Sequence, residues 1–400
     1  VTSNSWEYSG DGSAMAYRAG AELMDLEFTQ FHPTGMVWPP SVKGILVTEG
    51  VRGEGGVLLN NKNERFMFNY IPEKFAKETA DTIEEAERWF DGDNEARRPP
   101  ELLTRDVVAK AIMNEVKAGR GSEHGGVYLD IASRRPSEYI KKKLPSMYHQ
   151  FKELAEVDIT TDPMEVGPTL HYCMGGVRVN HDTQQTNISG LFACGECAAG
   201  LHGANRLGGN SLSDLLVFGK LAGENASKYC QENDKISPSD DDIIKIIRKN
   251  TDILNREEGS NPYFVHQEIQ KIMDNHVGIV REEKELQEGI QKLEEIKAQL
   301  NNMKAHPASQ YNPGWNLAID LNNMIITCEG VARAALLRDE SRGGHTRLDY
   351  PEERDECTSF NTIIKKSEDG SMSIEKGSRI NPTDELSKIA HSDLEELENA

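Results

Sequence analysis

No run in this sequence approaches the ~18 consecutive apolar residues of a membrane-spanning helix, and no charged-then-apolar leader opens it. A transmembrane segment is therefore not expected. Positive charge is in short supply: 45 Lys and Arg stand against 66 Asp and Glu, a net charge of -21. Such a surface repels a phosphate backbone, which argues against nucleic-acid binding but not against a basic partner protein. Cysteine is sparse, and Cys173, Cys194, Cys197, Cys230, Cys328 and Cys357 form no paired framework, as suits a reducing compartment. Cys194 and Cys197 make a C-x-x-C with no second pair to complete a zinc site, so they read as small buried residues and no metal is expected. A G-x-G-x-x-G turn after a strand is also missing. Gly119-Arg120-Gly121 and Gly53-Glu54-Gly55-Gly56 fail its spacing and context.

What is present is enough for a sizeable core, since 37% of 400 residues are hydrophobic, and the length suggests two or three domains. The stretch from Leu191 to Gly223, LFACGECAAGLHGANRLGGNSLSDLLVFGKLAG, reads as a short buried strand (Leu191 to Cys194), a glycine-rich loop and an apolar helix. Ser211 with Asp214 predicts a capping box at the helix start. Free N–H groups and the positive end of the helix dipole there favour an anion or developing negative charge. His202 and Arg206 lie in the loop. The residues alone leave an ordinary strand-to-helix connection equally open.

Taken in order, Gly10-Asp11-Gly12 predicts a tight turn into a helix, with Asp11 read as its cap. Residues 24 to 56 alternate as strands joined by turns. His32 precedes Pro33 and so sits in extended backbone, where a hydrogen-bonded core histidine is the plain alternative. Thr48, Glu49, Arg52 and Glu54 form an acid-x-x-Arg-x-acid cluster among glycines, which is costly unless the charges pair or act. Residues 81 to 98 read as an acidic surface insertion, and 102 to 117 as an amphipathic helix with Arg105 disfavoured in its first turn. Leu286, Ile290, Leu293, Ile296 and Leu300 share one helical face, and a bundle of about three helices is expected over 236 to 337. From Ser341 the chain reads as irregular, and the tail from Pro382 as either a helix or disordered.

Six motifs in one order resemble the succinate dehydrogenase and fumarate reductase flavoprotein subunits: FTQFHPTG (Phe28 to Gly35), TEGVRGEGG (Thr48 to Gly56), TRDVVAKAI (Thr104 to Ile112), HYCMGG (His171 to Gly176), GEC (Gly195 to Cys197) with HGANRLGGNSL (His202 to Leu212), and NPGWNLA (Asn312 to Ala318). The resemblance implies a mixed α/β and α+β multidomain fold. A partial, Rossmann-like FAD-binding domain (1–30 and 170–233) is interrupted by a capping domain (31–169). A helical domain (234–340) and an irregular C-terminal segment (341–400) follow. It implies FAD as cofactor, with Asp11, Glu196, Asn205, Ser211 and Leu212 as contacts. It implies a dicarboxylate site from His32, Thr48, His171, Arg206, Gly208 and Gly209, and Arg105 as proton donor fed by Glu49, Arg52 and Glu54, with His32 also among the catalytic residues. RGGHTRLDYP (Arg342 to Pro351) resembles the segment that closes over the flavin attachment region.

The same resemblance implies electron transfer to an iron–sulfur subunit, membrane quinone-binding subunits beyond it, and a cytoplasmic position on the inner face of the cell membrane through those partners. The family carries its dinucleotide fingerprint and flavin-linking histidine upstream of the matching segment, so this chain reads as the C-terminal part of a longer flavoprotein. The rival readings are an L-aspartate oxidase-like flavoenzyme, adenylylsulfate reductase as a more remote one, and a catalytically silent fragment. Asn210-Ser211-Leu212 with Ser213-Asp214-Leu215, the NPGWNLA segment and the long C-terminal part favour the respiratory branch.

Overall fold

The computed structural model of the protein describes residues 1–5 and 7–392; residues 393–400, the end of the acidic tail, lie outside the described residues. Gly10, at φ 77°, turns the chain into α1 (Asp11–Arg18), whose Ala14, Ala16 and Tyr17 are buried. A short β1 (Leu23–Met24) leads to β2 (Thr29–Met36). The Thr48 to Gly56 end of the stretch expected as strands joined by turns winds into a single helical turn, α2 (Gly50–Gly53), before β3 (Val57–Leu59). Its glycines let the chain coil back so that Gly56 N–H reaches Val51 O at 2.9 Å. The acidic insertion holds α3 (Ile83–Phe90), started by Thr82 accepting from Glu85 N–H.

The amphipathic helix α4 (Arg105–Lys117) buries Val107, Val108, Ala111 and Ile112, the face read from the sequence. After β4 (Val127–Asp130), α5 (Ser137–Lys143) and α6 (Pro145–Ala155), the chain returns along β5 (Met164–Cys173) and β6 (Gly176–Val177). Strands β2, β5, β4 and β3 form one antiparallel sheet in that order. Gly35 has no room for a side chain, since a Cβ there would lie 2.8 Å from the Thr169 side chain. Met36, Val108, Ile112, Leu129, Phe151 and Val166 make a continuous core between this sheet and its helices.

Helix α7 (Asn210–Glu232) begins one residue before the expected cap: Gly209, at φ 85°, is the N-cap and no side chain caps it. Ser211 is displaced from that role because only glycine takes the left-handed cap conformation at little cost. Leu191 to Cys194 is not a strand; it is half-buried and held to the preceding turn by a Gln185–Phe192 bridge and by hydrogen bonds such as Ala193 N–H to Gln184 O at 3.0 Å. The helical region has four helices rather than about three: α8 (Asp240–Asn255), α9 (Pro262–His276), α10 (Glu283–Leu300) and α11 (Pro313–Leu337). All five residues of the α10 stripe are buried against α9 and α11, each contributing roughly 1.5–3 kcal/mol by leaving water.

The C-terminal segment is more regular than expected. Strands β7 (Phe360–Lys366) and β8 (Met372–Ser378) form a hairpin that extends β6 and β1 into a second antiparallel sheet, and α12 (Asp384–His391) follows. Arg338 ties this segment to β1 and its loop, bonded to Glu27 and 3.0 Å from Glu340, with all three side chains buried. Among the described residues no helix is long and apolar enough to cross a membrane.

Candidate active site

The site is built where β2 and β5 lose register. Gln30 pairs with Tyr172 but Phe31 pairs with Leu170, so His171 is the extra residue of a bulge. A bulge re-aims a side chain, and here the His171 ring meets that of His32 edge-on, 5.8 Å between centroids. His32 is buried, its Nε2 2.9 Å from Val47 O and its Nδ1 without a partner among the described residues. Burial, then the neighbouring Arg52, push the His32 pKa down to about 3. His171, with Nδ1 3.0 Å from Ser3 Oγ, is pushed down to about 4 by burial and by Arg105 and Arg206. Both imidazoles are therefore uncharged at neutral pH: His32 gives its one N–H to Val47 O and keeps Nδ1 as an acceptor, whereas His171, facing the Ser3 hydroxyl through Nδ1, can offer an Nε2–H hydrogen bond without adding charge.

Arg105 opens α4, where the dipole disfavours a cation, and two acceptors compensate: its Nε lies 3.4 Å from Glu49 Oε2 and its Nη1 donates to Gln30 Oε1 at 3.2 Å. Its Nη2 edge faces Gly208, where a Cβ would stand 3.4 Å away. Arg52 is fully buried, donates to Glu101 O, and approaches Glu49 at 3.9 Å through Nη2. Its Nε and Nη2 have no hydrogen-bond partner among the described residues, and burial pushes its pKa down to about 10. Glu54 is not part of this group. It bonds Tyr139 Oη instead, on the far side of the α2 turn.

Arg206 arrives from the glycine-rich loop. Its guanidinium stacks on the Tyr172 ring at 4.2 Å, Nη2 donates to Gln30 Oε1 at 3.1 Å, and Nε is buried without a partner among the described residues. Its pKa is lowered by burial and by Arg105. His202 Nε2 stands 3.3 Å from Asp214 Oδ2 in the first turns of α7, so Asp214 pairs with the loop rather than capping the helix. Asn205 Nδ2 donates to Asp106 Oδ1 at 3.1 Å, fastening the loop to α4. Thr48 is half-buried, and its Oγ1 accepts from Gly50 N–H at 3.3 Å.

Of the residues expected at a dicarboxylate site, the structure brings together His32, His171, Arg105, Arg206 and Gly208, with Glu49 and Arg52 behind Arg105. Gln30, which contacts both arginines, is not among the residues the sequence singles out; its signal there is only a polar residue inside a strand. A groove of about 360 Å³ lies elsewhere, between the starts of α9 and α11, and contains none of these side chains.

The residues expected to hold FAD fit a flat, polar-edged aromatic group. The start of α7 is uncapped, Gly209 has open space where a side chain would be, and Leu207 and Leu212 are exposed beside it. Glu196 accepts from Cys173 N–H at 3.0 Å through Oε1, and burial raises its pKa. Asp11 accepts from Ser9 Oγ at 2.8 Å and from Asn323.

Residues 1–212 match the FAD binding domain family, and residues 266–390 match the family described as fumarate reductase flavoprotein C-term. The chain is 42% identical over 368 residues to a fumarate reductase (CoM/CoB) protein of Methanothermobacter marburgensis, covering 92% of this chain and 62% of that protein. It is 36% identical to the succinate dehydrogenase flavoprotein subunit of Coxiella burnetii, over 89% of this chain and 58% of that one. Among solved structures, Mycobacterium smegmatis Sdh1 in complex with UQ1 superposes with a TM-score of 0.81 at 50% identity, covering 100% of this chain and 62% of its counterpart. The chain thus spans less than two thirds of the length of these relatives. It belongs to the FAD binding domain family, its C-terminal part matches the fumarate reductase flavoprotein C-term family, and its cofactor is FAD.

Proposed function

We propose that the chain is the substrate-binding and proton-handling part of a flavoprotein that interconverts succinate and fumarate. The observation that carries this reading is the pairing of two guanidinium groups, Arg105 and Arg206, on one acceptor beside two uncharged imidazoles, with the buried Nε of Arg206 unpartnered among the described residues. Unpaired buried donors are costly unless a ligand completes them. A dianion with two carboxylates meets that demand, and Arg206 offers it a planar fork held by the Tyr172 ring.

Within this reading His171 and Arg206 bind one carboxylate, and His32 and Thr48 the other. Glu196, Asp11 and the start of α7 at Ser211 and Leu212 would hold FAD, which would supply or accept the hydride. Arg105 donates the proton to the neighbouring carbon from Nη2, the edge facing Gly208, and Nε draws on Glu49 and Arg52 behind it. Run in reverse, the same groups take a proton from succinate. We further propose the division into FAD-binding (1–30, 170–233), capping (31–169), helical (234–340) and C-terminal (341–400) units. An iron–sulfur subunit receives the electrons, and quinone-binding membrane subunits hold the assembly at the inner face of the membrane. Comparing succinate and aspartate oxidation by the full-length flavoprotein tests the reading: succinate turnover supports it, and turnover of aspartate alone rejects it for the oxidase alternative.

A further inference from the structure

Gln30 occupies a position that neither its residue type nor its neighbours in sequence explain. It is 2% exposed, and its amide is used in full. Nε2 donates to Asn205 Oδ1 and to Arg206 O, both at 2.7 Å. These two acceptors fix which way the amide is turned. Oε1 therefore faces the opposite side, where it accepts from Arg105 Nη1 at 3.2 Å and from Arg206 Nη2 at 3.1 Å. Since Asn205 also bonds Asp106, one amide ties together β2, the start of α4 and the loop before α7.

Two like charges at one site repel, and the site must hold them together without cancelling them. A carboxylate at position 30 would neutralise charge that a dianion needs. An apolar side chain would leave Arg105 steered only by Glu49 at 3.4 Å, whereas Arg206 would keep its stack on Tyr172. A neutral carbonyl oxygen accepts from both guanidinium groups and leaves both charges in place. We infer that Gln30 is a positioning residue that sets the relative placement of Arg105 and Arg206 through a shared amide oxygen, and thereby the preference of the site for dianions. This rests on the dicarboxylate reading above.

The test uses the full-length, FAD-loaded protein, with fumarate as the probe. Binding to the oxidised protein is followed by calorimetry and reduction by the oxidation of a reduced dye. In Gln30→Glu, the new carboxylate is kept ionised by the two arginines. Fumarate affinity then falls at least about 10-fold at neutral pH, and KM rises by more than kcat falls. In Gln30→Met the pattern reverses: kcat falls about 10-fold or more while KM changes less, because Arg105 is left with Glu49 alone to steer it whereas Arg206 keeps its stack on Tyr172. Gln30→Asn, neutral but one methylene short, must follow Gln30→Met, and it serves if the methionine variant misfolds. Parent-like binding and turnover in all three variants, or equal shifts of KM and kcat in each, overturn the inference while leaving the site reading intact. Failure of the parent itself to bind fumarate overturns the site reading, and the inference with it.

Discussion

Replacing Arg105 with lysine separates proton delivery from binding. The lysine keeps the positive charge, but one ammonium group cannot bond Gln30 and Glu49 while also presenting a donor to the space at Gly208. A positioned general acid contributes about 10²–10⁴ in rate, or roughly 3–5.5 kcal/mol at about 1.4 kcal/mol per factor of ten. The prediction for Arg105→Lys is a kcat loss in that range, with fumarate affinity changed by less than about 5-fold because Arg206, His171 and His32 remain. Stability should fall by no more than about 2 kcal/mol, since the charge is kept and the side chain gives up two long hydrogen bonds of about 1 kcal/mol each. Steady-state dye-linked fumarate reduction gives kcat and KM, and calorimetric titration of the oxidised protein gives Kd. Equal loss of turnover and binding, or parent-like turnover, would refute the assignment of Arg105 as donor.

Two further outcomes concern stability. His32 has its folded pKa depressed to about 3, so between that value and the unfolded pKa of about 6.5 the unfolded chain binds more protons. Stability should fall as pH drops through this window, by about 1.4 kcal/mol per unit at most from this group; His32→Gln should flatten the slope in denaturation series from pH 7 to 4, and identical slopes would contradict the burial argument. Glu101→Ala removes the fully buried partner of Arg65, whose Nε lies 2.6 Å from it. The loss should be about 3 kcal/mol, the lower end for a broken buried pair because Glu87 also reaches Arg65 at 2.8 Å, with Glu101→Gln milder; chemical denaturation midpoints measure both.

Local pattern makes part of this fold legible. The α4 and α10 faces follow helical spacing: the α10 stripe is buried whole, and in α4 Val107, Val108, Ala111 and Ile112 are buried while Val116 is half-buried. The β7–β8 hairpin is hidden because Lys365, Lys366 and Ser367 dilute its alternation, although Glu368-Asp369-Gly370 is a readable turn and Gly370 has φ 84°. The cap of α7 lies off the expected position because Ser211 is the better side-chain cap by type, whereas the backbone conformation required there selects Gly209. Arg105 and Arg206 can be named from motifs, but their common acceptor cannot. Gln30 lies 75 residues from one and 176 from the other, and only the closed fold makes them neighbours. The bulge at His171 is likewise a property of pairing between β2 and β5.

A crystal structure of the full-length flavoprotein with fumarate bound tests the central claim most directly. One carboxylate is expected on Arg206 and His171, the other on His32 and Thr48, and Arg105 Nη2 directed at the carbon between them. Fumarate bound away from these side chains, or an Arg105 guanidinium turned out of the site, would contradict it.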